Sequence, residues 1–423
     1  MWSPMRVAVI GGGVVGVCTA YYLAEAGHEV TVFERYGNVA QEASFGNLDL
    51  MGPASLRPWA LPGTPSRIFS MLFRPESPVA FSAQFEPAMW RWIRRWVKEC
   101  QLERFSHNQR HLHRLAAYST GLMTELAQTH QLDFQQRSGV MVMFRTARDL
   151  QQAQPILEML GQFGSEHELL EAQTARELEP ALANAAPFHA ALYIPADKVG
   201  NCPLFVRQVK TLAQNRGVEF QFNQEVQSIA PELGGVSFQV DGRSIDVDAV
   251  VVAAGSDSAR LLKPIGVSMP MYPVKVYSAS TAIQEFDLAP QTAVFDDTYR
   301  VAMTRLGNRI RLAGCAELGS STVNLHRKAI STMVKVADDW FPNAANYRTA
   351  NFWCGPAGML PEGVPLLGPT KYGNVFVNAG HGSGAWAMAT GSGKLVADMV
   401  SGQTPDIDAE GLTLARYGER SFQ

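Results

Sequence analysis

The segment from Val7 to Glu34 reads VAVIGGGVVGVCTAYYLAEAGHEVTVFE and limits the folds open to this chain more than any other stretch. A short apolar strand enters Gly11-Gly12-Gly13-Val14-Val15-Gly16, a helical pattern follows, and a second strand over His28 to Phe33 ends on Glu34. This is the spacing of a dinucleotide-binding βαβ unit. Gly11 allows the tight turn, Gly13 lets backbone approach a pyrophosphate, Gly16 lets helix and strand pack closely, and the acid takes the ribose hydroxyls. The N-terminus of the helix, at Val14 and Val15, offers N–H groups and the positive dipole end. Glycine-rich turns alone are common, but here strand, glycines, helix, second strand and acid all fall in register. The segment therefore predicts a bound dinucleotide on a parallel sheet.

A chain of 423 residues is long enough for about two or three domains. Its net charge of -3, with 18% charged residues, gives no basic face for nucleic acid, and none is expected as a partner. The cysteines (Cys18, Cys100, Cys202, Cys315 and Cys354) are scattered and lack CxxC spacing. They predict reduced thiols in a cytoplasmic compartment, without a disulfide framework or a metal site. Met1 to Arg6 is too short for the two regions of a signal peptide, and no run approaches the roughly 18 apolar residues of a spanning helix.

After Glu34 come a polar loop (Gly37 to Asn47) and a stretch with Pro53, Pro58, Pro62 and Pro65 that reads as loop. From about Glu86 to Leu132 the pattern is helical, and Met89 to Lys98 sets tryptophans and aliphatics against cations. That segment suits either a helix packed on the protein core with a solvated basic face or one resting on anionic lipid. Val140 to Phe144 reads as a strand, Glu171 to Leu178 as part of a helix, Cys202 to Asn215 as a helix, and Glu219 to Phe222 as a strand. Asp248 to Gly255 is a continuous apolar run ending in small residues, as in a parallel strand buried on both faces. Thr298 to Arg305 and Arg309 to Ala313 alternate around Leu306-Gly307-Asn308 as a hairpin. Finally, strand Asn374 to Gly380, the loop His381-Gly382-Ser383-Gly384 and a helix from Ala385 to Val400 form a second strand–glycine–helix unit. Two such units fit a large cofactor touched at both ends.

Several motifs make the chain resemble the FAD-dependent D-amino acid dehydrogenases of the small-subunit type, within the glycine oxidase and D-amino acid oxidase superfamily. They are VAVIGGGVVGV at the start, Glu42-Ala43-Ser44-Phe45-Gly46-Asn47, Pro58-Trp59-Ala60-Leu61-Pro62-Gly63, Tyr272 to Ser278, Asp297-Thr298-Tyr299 and Gly380-His381-Gly382. The resemblance implies an α/β fold: a Rossmann-like FAD-binding domain (1–55, 200–265 and 355–423) interleaved with an α+β substrate domain on an antiparallel sheet (56–199 and 266–354). It implies non-covalent FAD, oxidation of an amine or amino-acid-like substrate to an imine, and electron transfer to a quinone or other acceptor. It also implies peripheral contact with the inner face of the cytoplasmic membrane. Cofactor contacts are expected from Arg35, Ser44, Asn47, Val226, Ala254, Gly255, Gly380, Gly382, Ser383 and Gly384, beside the glycine turn and Glu34. The catalytic candidates are Lys275, Tyr277, Tyr299 and His381. Each has a plainer reading: a solvated strand lysine, two structural tyrosines, and a histidine that shapes a turn. Trp353 and Trp386 read as core. The alternatives within this reading are an oxygen-using oxidase of secondary or cyclic amines and a flavin-binding subunit without amine turnover.

One departure stands out. The family pattern Trp-x-Gly-x-Arg-Pro-x-x-Pro-Asp-Gly, whose arginine pairs with the substrate carboxylate, here reads Trp353-Cys354-Gly355-Pro356-Ala357-Gly358-Met359-Leu360-Pro361-Glu362-Gly363. Ala357 stands at the arginine and Gly358 at the proline. No neutral residue replaces bidentate guanidinium recognition. The substitution predicts a roomier, less cationic pocket, weak turnover of small D-amino acids such as D-alanine, and preference for substrates whose carboxylate is absent, masked or distant. Arg305, Arg309 and Arg311 are the candidates for a substitute cation, although hairpin arginines usually face solvent.

Overall fold

The computed structural model describes residues 4–82, 86–320 and 322–418. Met1, Trp2 and Ser3, half of the segment judged too short for a leader, lie outside them. Arg6–Ile10 lies inside a six-stranded sheet ordered Leu366–Pro369, Val375–Ala379, Ala249–Val252, Arg6–Ile10, Glu29–Glu34, Glu219–Phe222. All its neighbours run parallel except the edge pair of Leu366–Pro369 with Val375–Ala379. Strands Arg6–Ile10, Ala249–Val252 and Val375–Ala379 carry apolar residues at successive positions because both their faces are covered. Val7, Val9 and Val251 face the helices Val14–Glu25, Cys202–Asn215 and Ala385–Val400. Ala8, Ile10, Val250 and Val252 face an antiparallel meander of Val226–Glu232, Gly235–Val240 and Arg243–Val247.

A second, nine-stranded sheet runs Asn351–Met359, Tyr272–Ala282, Arg309–Leu318, Val301–Leu306, Ala293–Asp296, Arg137–Phe144, Ala190–Val199, Glu168–Glu171, with Val79–Phe81 added beside Arg309–Leu318. It is mainly antiparallel. Two pairings depart from that expectation and run parallel: Ala293 with Val140 and Ala316 with Val79. The sheets meet where Met359, at the end of its strand, bridges to His381.

Two local findings bear on the sequence reading. The proline-rich stretch taken as loop contains the helix Thr64–Met71, with Pro65 in its first turn. A proline is welcome there, since its fixed φ is helical and its missing N–H would have no partner anyway. The helix Pro87–Glu99 turns Met89, Trp92 and Trp96 inward, and Trp92 Nε1 donates to the Met359 carbonyl at 2.9 Å. Its cations Arg91, Arg94, Arg95 and Lys98 are exposed. Among the described residues, no helix is long and apolar enough to cross a membrane.

Candidate active site

The turn after the first strand is shaped by the absence of side chains. Gly11 has a φ of +113°, and a Cβ there would sit 2.5 Å from the Ala253 carbonyl oxygen. A Cβ on Gly16 would fall inside the Gly11 carbonyl oxygen, so helix Val14–Glu25 reaches the strand only because that position is bare. Gly13 is less confined, since its Cβ would meet only Ser44 Oγ, at 3.2 Å. The helix starts without a side-chain cap at Gly13, and the Val14 N–H donates to Ser44 Oγ at 2.9 Å. An uncapped helix start beside a groove is a place for a phosphate.

The groove encloses about 1000 Å³. Gly11, Gly13, Val14, Val15, Glu34, Arg35, Ser44, Val226, Ala254, Gly255, Gly380, His381 and Gly382 all line it. Gly16 lies beneath the turn instead. At one end Glu34 accepts from the Gly12 N–H at 2.6 Å and the Tyr36 N–H at 2.9 Å. Burial raises its carboxyl above the ordinary range, opposed by these two donors. Arg35 spans Asp257 at 2.5 Å and Glu42 at 2.6 Å, tying two loops across the rim.

At its other end the groove reaches Ala43, Ala357, Gly382 and Ala385, and these four also line a second cavity of about 510 Å³. Asn47, Trp59, Val276, Arg300 and Ser383 complete much of its wall. Asn47 holds its loop by donating to the Ser44 carbonyl at 2.6 Å and accepting from the Asp49 N–H at 2.7 Å. A third cavity, of about 500 Å³, shares Trp59, Gly382 and Ser383 and adds Arg57, His381 and Gly384.

The catalytic candidates are not brought together. Val276 faces the second cavity, so strand alternation turns Lys275 and Tyr277 to the opposite face. There Lys275 pairs with Glu317 at 2.8 Å and donates to the Asn324 carbonyl at 2.5 Å, while the Tyr277 hydroxyl donates to Glu317. Tyr299 lies under Arg145, 4.9 Å from its ring centroid, beside Trp340 and away from both cavities. Only His381 touches the groove. Its Nε2 sits 3.0 Å from Ser392 Oγ, and burial pushes the imidazole down to about 3. Burial thus favours the neutral ring around neutral pH. Between about pH 5 and 8, the pH dependence of anaerobic flavin reduction should therefore match in wild type and His381→Asn. A limb present in wild type and lost in the variant would show that the ring titrates.

The sequence reading missed Asn378, one residue before Ala379-Gly380. Its Nδ2 donates to Thr19 Oγ1 at 2.9 Å, and its buried Oδ1, beside the groove, has no partner among the described residues. An asparagine inside an apolar strand was the available signal. Arg57 and Arg300 were missed too. Of the hairpin arginines considered instead, Arg305 lies over the Phe286 ring, Arg309 is exposed, and Arg311 is held 3.0 Å from Asp49. The cavity beside Ala357 is cationic all the same, because Arg300 lines it.

A family model described as FAD dependent oxidoreductase matches residues 6–399. The chain belongs to that family. It is 38% identical over 416 residues to D-amino acid dehydrogenase 1 of Mesorhizobium japonicum, covering 98% of this chain and 100% of the relative. It is 37% identical to the D-amino acid dehydrogenase of Bradyrhizobium diazoefficiens, again over 98% and 100%. Among solved structures the fold is similar to glycine oxidase from Geobacillus kaustophilus, with a TM-score of 0.77 at 22% identity over 97% and 99% of the two chains. Iminodiacetate oxidase from Chelativorans sp. BNC1 gives 0.73 at 18% identity over 96% and 98%.

This chain is thus an FAD-dependent oxidoreductase, similar nearly end to end to enzymes named D-amino acid dehydrogenases. The groove fits its cofactor. Gly13, Val14 and Val15 at the helix start line the groove with no side-chain cap from Gly13, and further along Asn378 presents a buried amide oxygen that has no partner among the described residues. Glu34 and Arg35 would hold the nucleoside end, Gly13 to Val15 the pyrophosphate, and Gly380 to Gly382 the flavin end. Held there, the cofactor would supply the acceptor for a hydride leaving the substrate carbon. The resemblance implies that the flavin is held without a covalent link, although His381 lines the groove. Acid precipitation should accordingly release all of the flavin into the supernatant, and colour retained in the pellet would contradict a non-covalent cofactor.

Proposed function

We propose that this enzyme oxidises the α-amine of an amino-acid-like substrate to an imine, which water hydrolyses to a keto product, and passes the electrons to a quinone or other non-nicotinamide acceptor. The carrying observation is the junction at Ala357, Gly382 and Ala385, where the cofactor groove opens directly onto a separate cavity. A substrate there lies against the flavin end of the groove. The chain contributes positioning more than proton transfer, because Lys275 and Tyr277 face away and His381 stays neutral. The amine must therefore enter uncharged, and Trp59 and Val276 keep water from its α-carbon. The exposed basic side of helix Pro87–Glu99, with Trp90 at 47% exposure, supports a peripheral contact with anionic lipid on the inner face of the cytoplasmic membrane, where a quinone is at hand.

The test is anaerobic mixing of the holoenzyme with a panel of D-amino acids, L-amino acids and cyclic amines, followed by absorbance. Bleaching of the flavin by a subset of amines is expected. No bleaching by any member would leave a flavin-binding subunit without amine turnover, and the proposal would fall.

A further inference from the structure

We propose that the guanidiniums of Arg57 and Arg300 form the subsite that holds the substrate's carboxylate, in place of the side chain missing at Ala357. The assignment rests on the amine-oxidising reading above and names the substrate class more closely: amines that carry a free carboxylate.

Arg57 is 3% exposed, yet its Nε, Nη1 and Nη2 have no hydrogen-bond partner among the described residues. A guanidinium carries five N–H donors, and buried donors are almost always satisfied. Five idle donors on one buried side chain point to an absent acceptor. Arg57 lines the cavity that shares Trp59, Gly382 and Ser383 with the one beside Ala357. Arg300 lines that neighbouring cavity and is 6% exposed. Its Nη2 donates to the Arg57 and Pro58 carbonyls and its guanidinium lies 4.9 Å from the Trp59 ring centroid, while Nε is unpartnered. The group is thus fixed in place before any ligand arrives, which cuts the ordering cost of binding.

The acidic neighbours do not occupy these donors. Asp297 accepts from Arg67 at 2.9 Å, and Asp197 from the Ser55 N–H at 2.5 Å. Burial alone would raise the Asp297 carboxyl, but Arg67, Arg300 and Arg57 hold it below its ordinary value. Asp297 Oδ1 also lacks a hydrogen-bond partner, so it offsets positive field without satisfying Arg57. A planar carboxylate supplies the paired acceptors that a guanidinium fork takes bidentately. Ala357 lines the same cavity as Arg300, where an arginine side chain would otherwise take up room.

The test uses isothermal titration of the FAD-loaded enzyme with isobutyrate and isobutyramide. These probes share a shape, differ in charge and carry no amine to be oxidised. The acid should bind at least about tenfold more tightly. Arg57→Gln and Arg300→Gln should each weaken the acid by about tenfold or more, leave the amide unchanged, and retain flavin; Arg300→Lys should recover part of the loss. Equal binding of the two probes by wild type would overturn the proposal. A preference for the acid that survives in Arg57→Gln would overturn it as well, even if Arg300→Gln fails to fold through loss of its carbonyl contacts. Because neither probe turns over, this result is independent of the bleaching panel. Charge preference without bleaching would sink the amine-oxidising reading alone, and bleaching without charge preference would sink the subsite alone.

Discussion

Gly16→Ala should give a protein that carries no flavin and is recovered mainly as insoluble material. The added methyl would overlap the Gly11 carbonyl oxygen, which the tight turn after Arg6–Ile10 holds in place. Helix Val14–Glu25 would have to lift from the sheet, losing contact with both the turn and helix Ala385–Val400. We expect a cost above about 4 kcal/mol, at the severe end for single substitutions. Gly13→Ala is the matched control. Its methyl meets only the Ser44 hydroxyl at 3.2 Å, so the chain should fold and show weakened FAD binding instead. Flavin absorbance per mole of soluble protein, read together with thermal unfolding, separates the two. A Gly16→Ala enzyme with full flavin and a Tm within about 2 °C of wild type would show that close packing there is not required.

The second large effect falls on stability. Lys275 and Glu317 form an ion pair whose side chains are each only 4% exposed, with the Tyr277 hydroxyl completing the network. Lys275→Met leaves the Glu317 carboxylate buried beside a single neutral donor. Removing one partner of a buried pair costs about 3–5 kcal/mol, whereas removing both is far milder. Guanidinium denaturation should therefore show a marked loss for Lys275→Met and a partial recovery in Lys275→Met with Glu317→Gln. The flavin spectrum should be unchanged in both. A loss below about 1 kcal/mol, the range of a surface pair, would mean that water reaches these groups. A shifted flavin spectrum would mean that Lys275 lies closer to the cofactor than its strand register implies.

What the sequence made legible was local. Val7 to Glu34 announces its βαβ unit because glycine spacing and strand alternation are set by neighbouring residues, and the run through Ala249–Val252 is apolar because both its faces are covered. The same holds for helix Ala385–Val400 after its glycine loop. The substrate side was less readable. Alternation shows that Lys275 and Tyr277 share a face with each other and not with Val276, but it does not say which face meets the cavity. Thr64–Met71 was hidden by prolines that a first helical turn accepts. The parallel pairings of Ala293 with Val140 and Ala316 with Val79 join distant segments and leave no local mark. The cation that lines the cavity beside Ala357, Arg300, comes from a segment about 60 residues away, which the motif around Ala357 does not mark.

The six-stranded sheet also sets an order of events during synthesis. Arg6–Ile10 and Glu29–Glu34 emerge first, but Ala249–Val252 pairs with the former, and Val375–Ala379 must then dock on Ala249–Val252. Helix Ala385–Val400 follows later still, and its Gly393 packs so closely on Cys18 that a Cβ would lie 2.9 Å from the Cys18 backbone. The earliest part of the chain thus waits for one of the latest, with Val14, Val17 and Leu23 exposed meanwhile. Such long-range closure is slow and leaves apolar surface open to aggregation. Chains truncated before helix Ala385–Val400 should therefore aggregate and show no activity, which expression of such truncations would check.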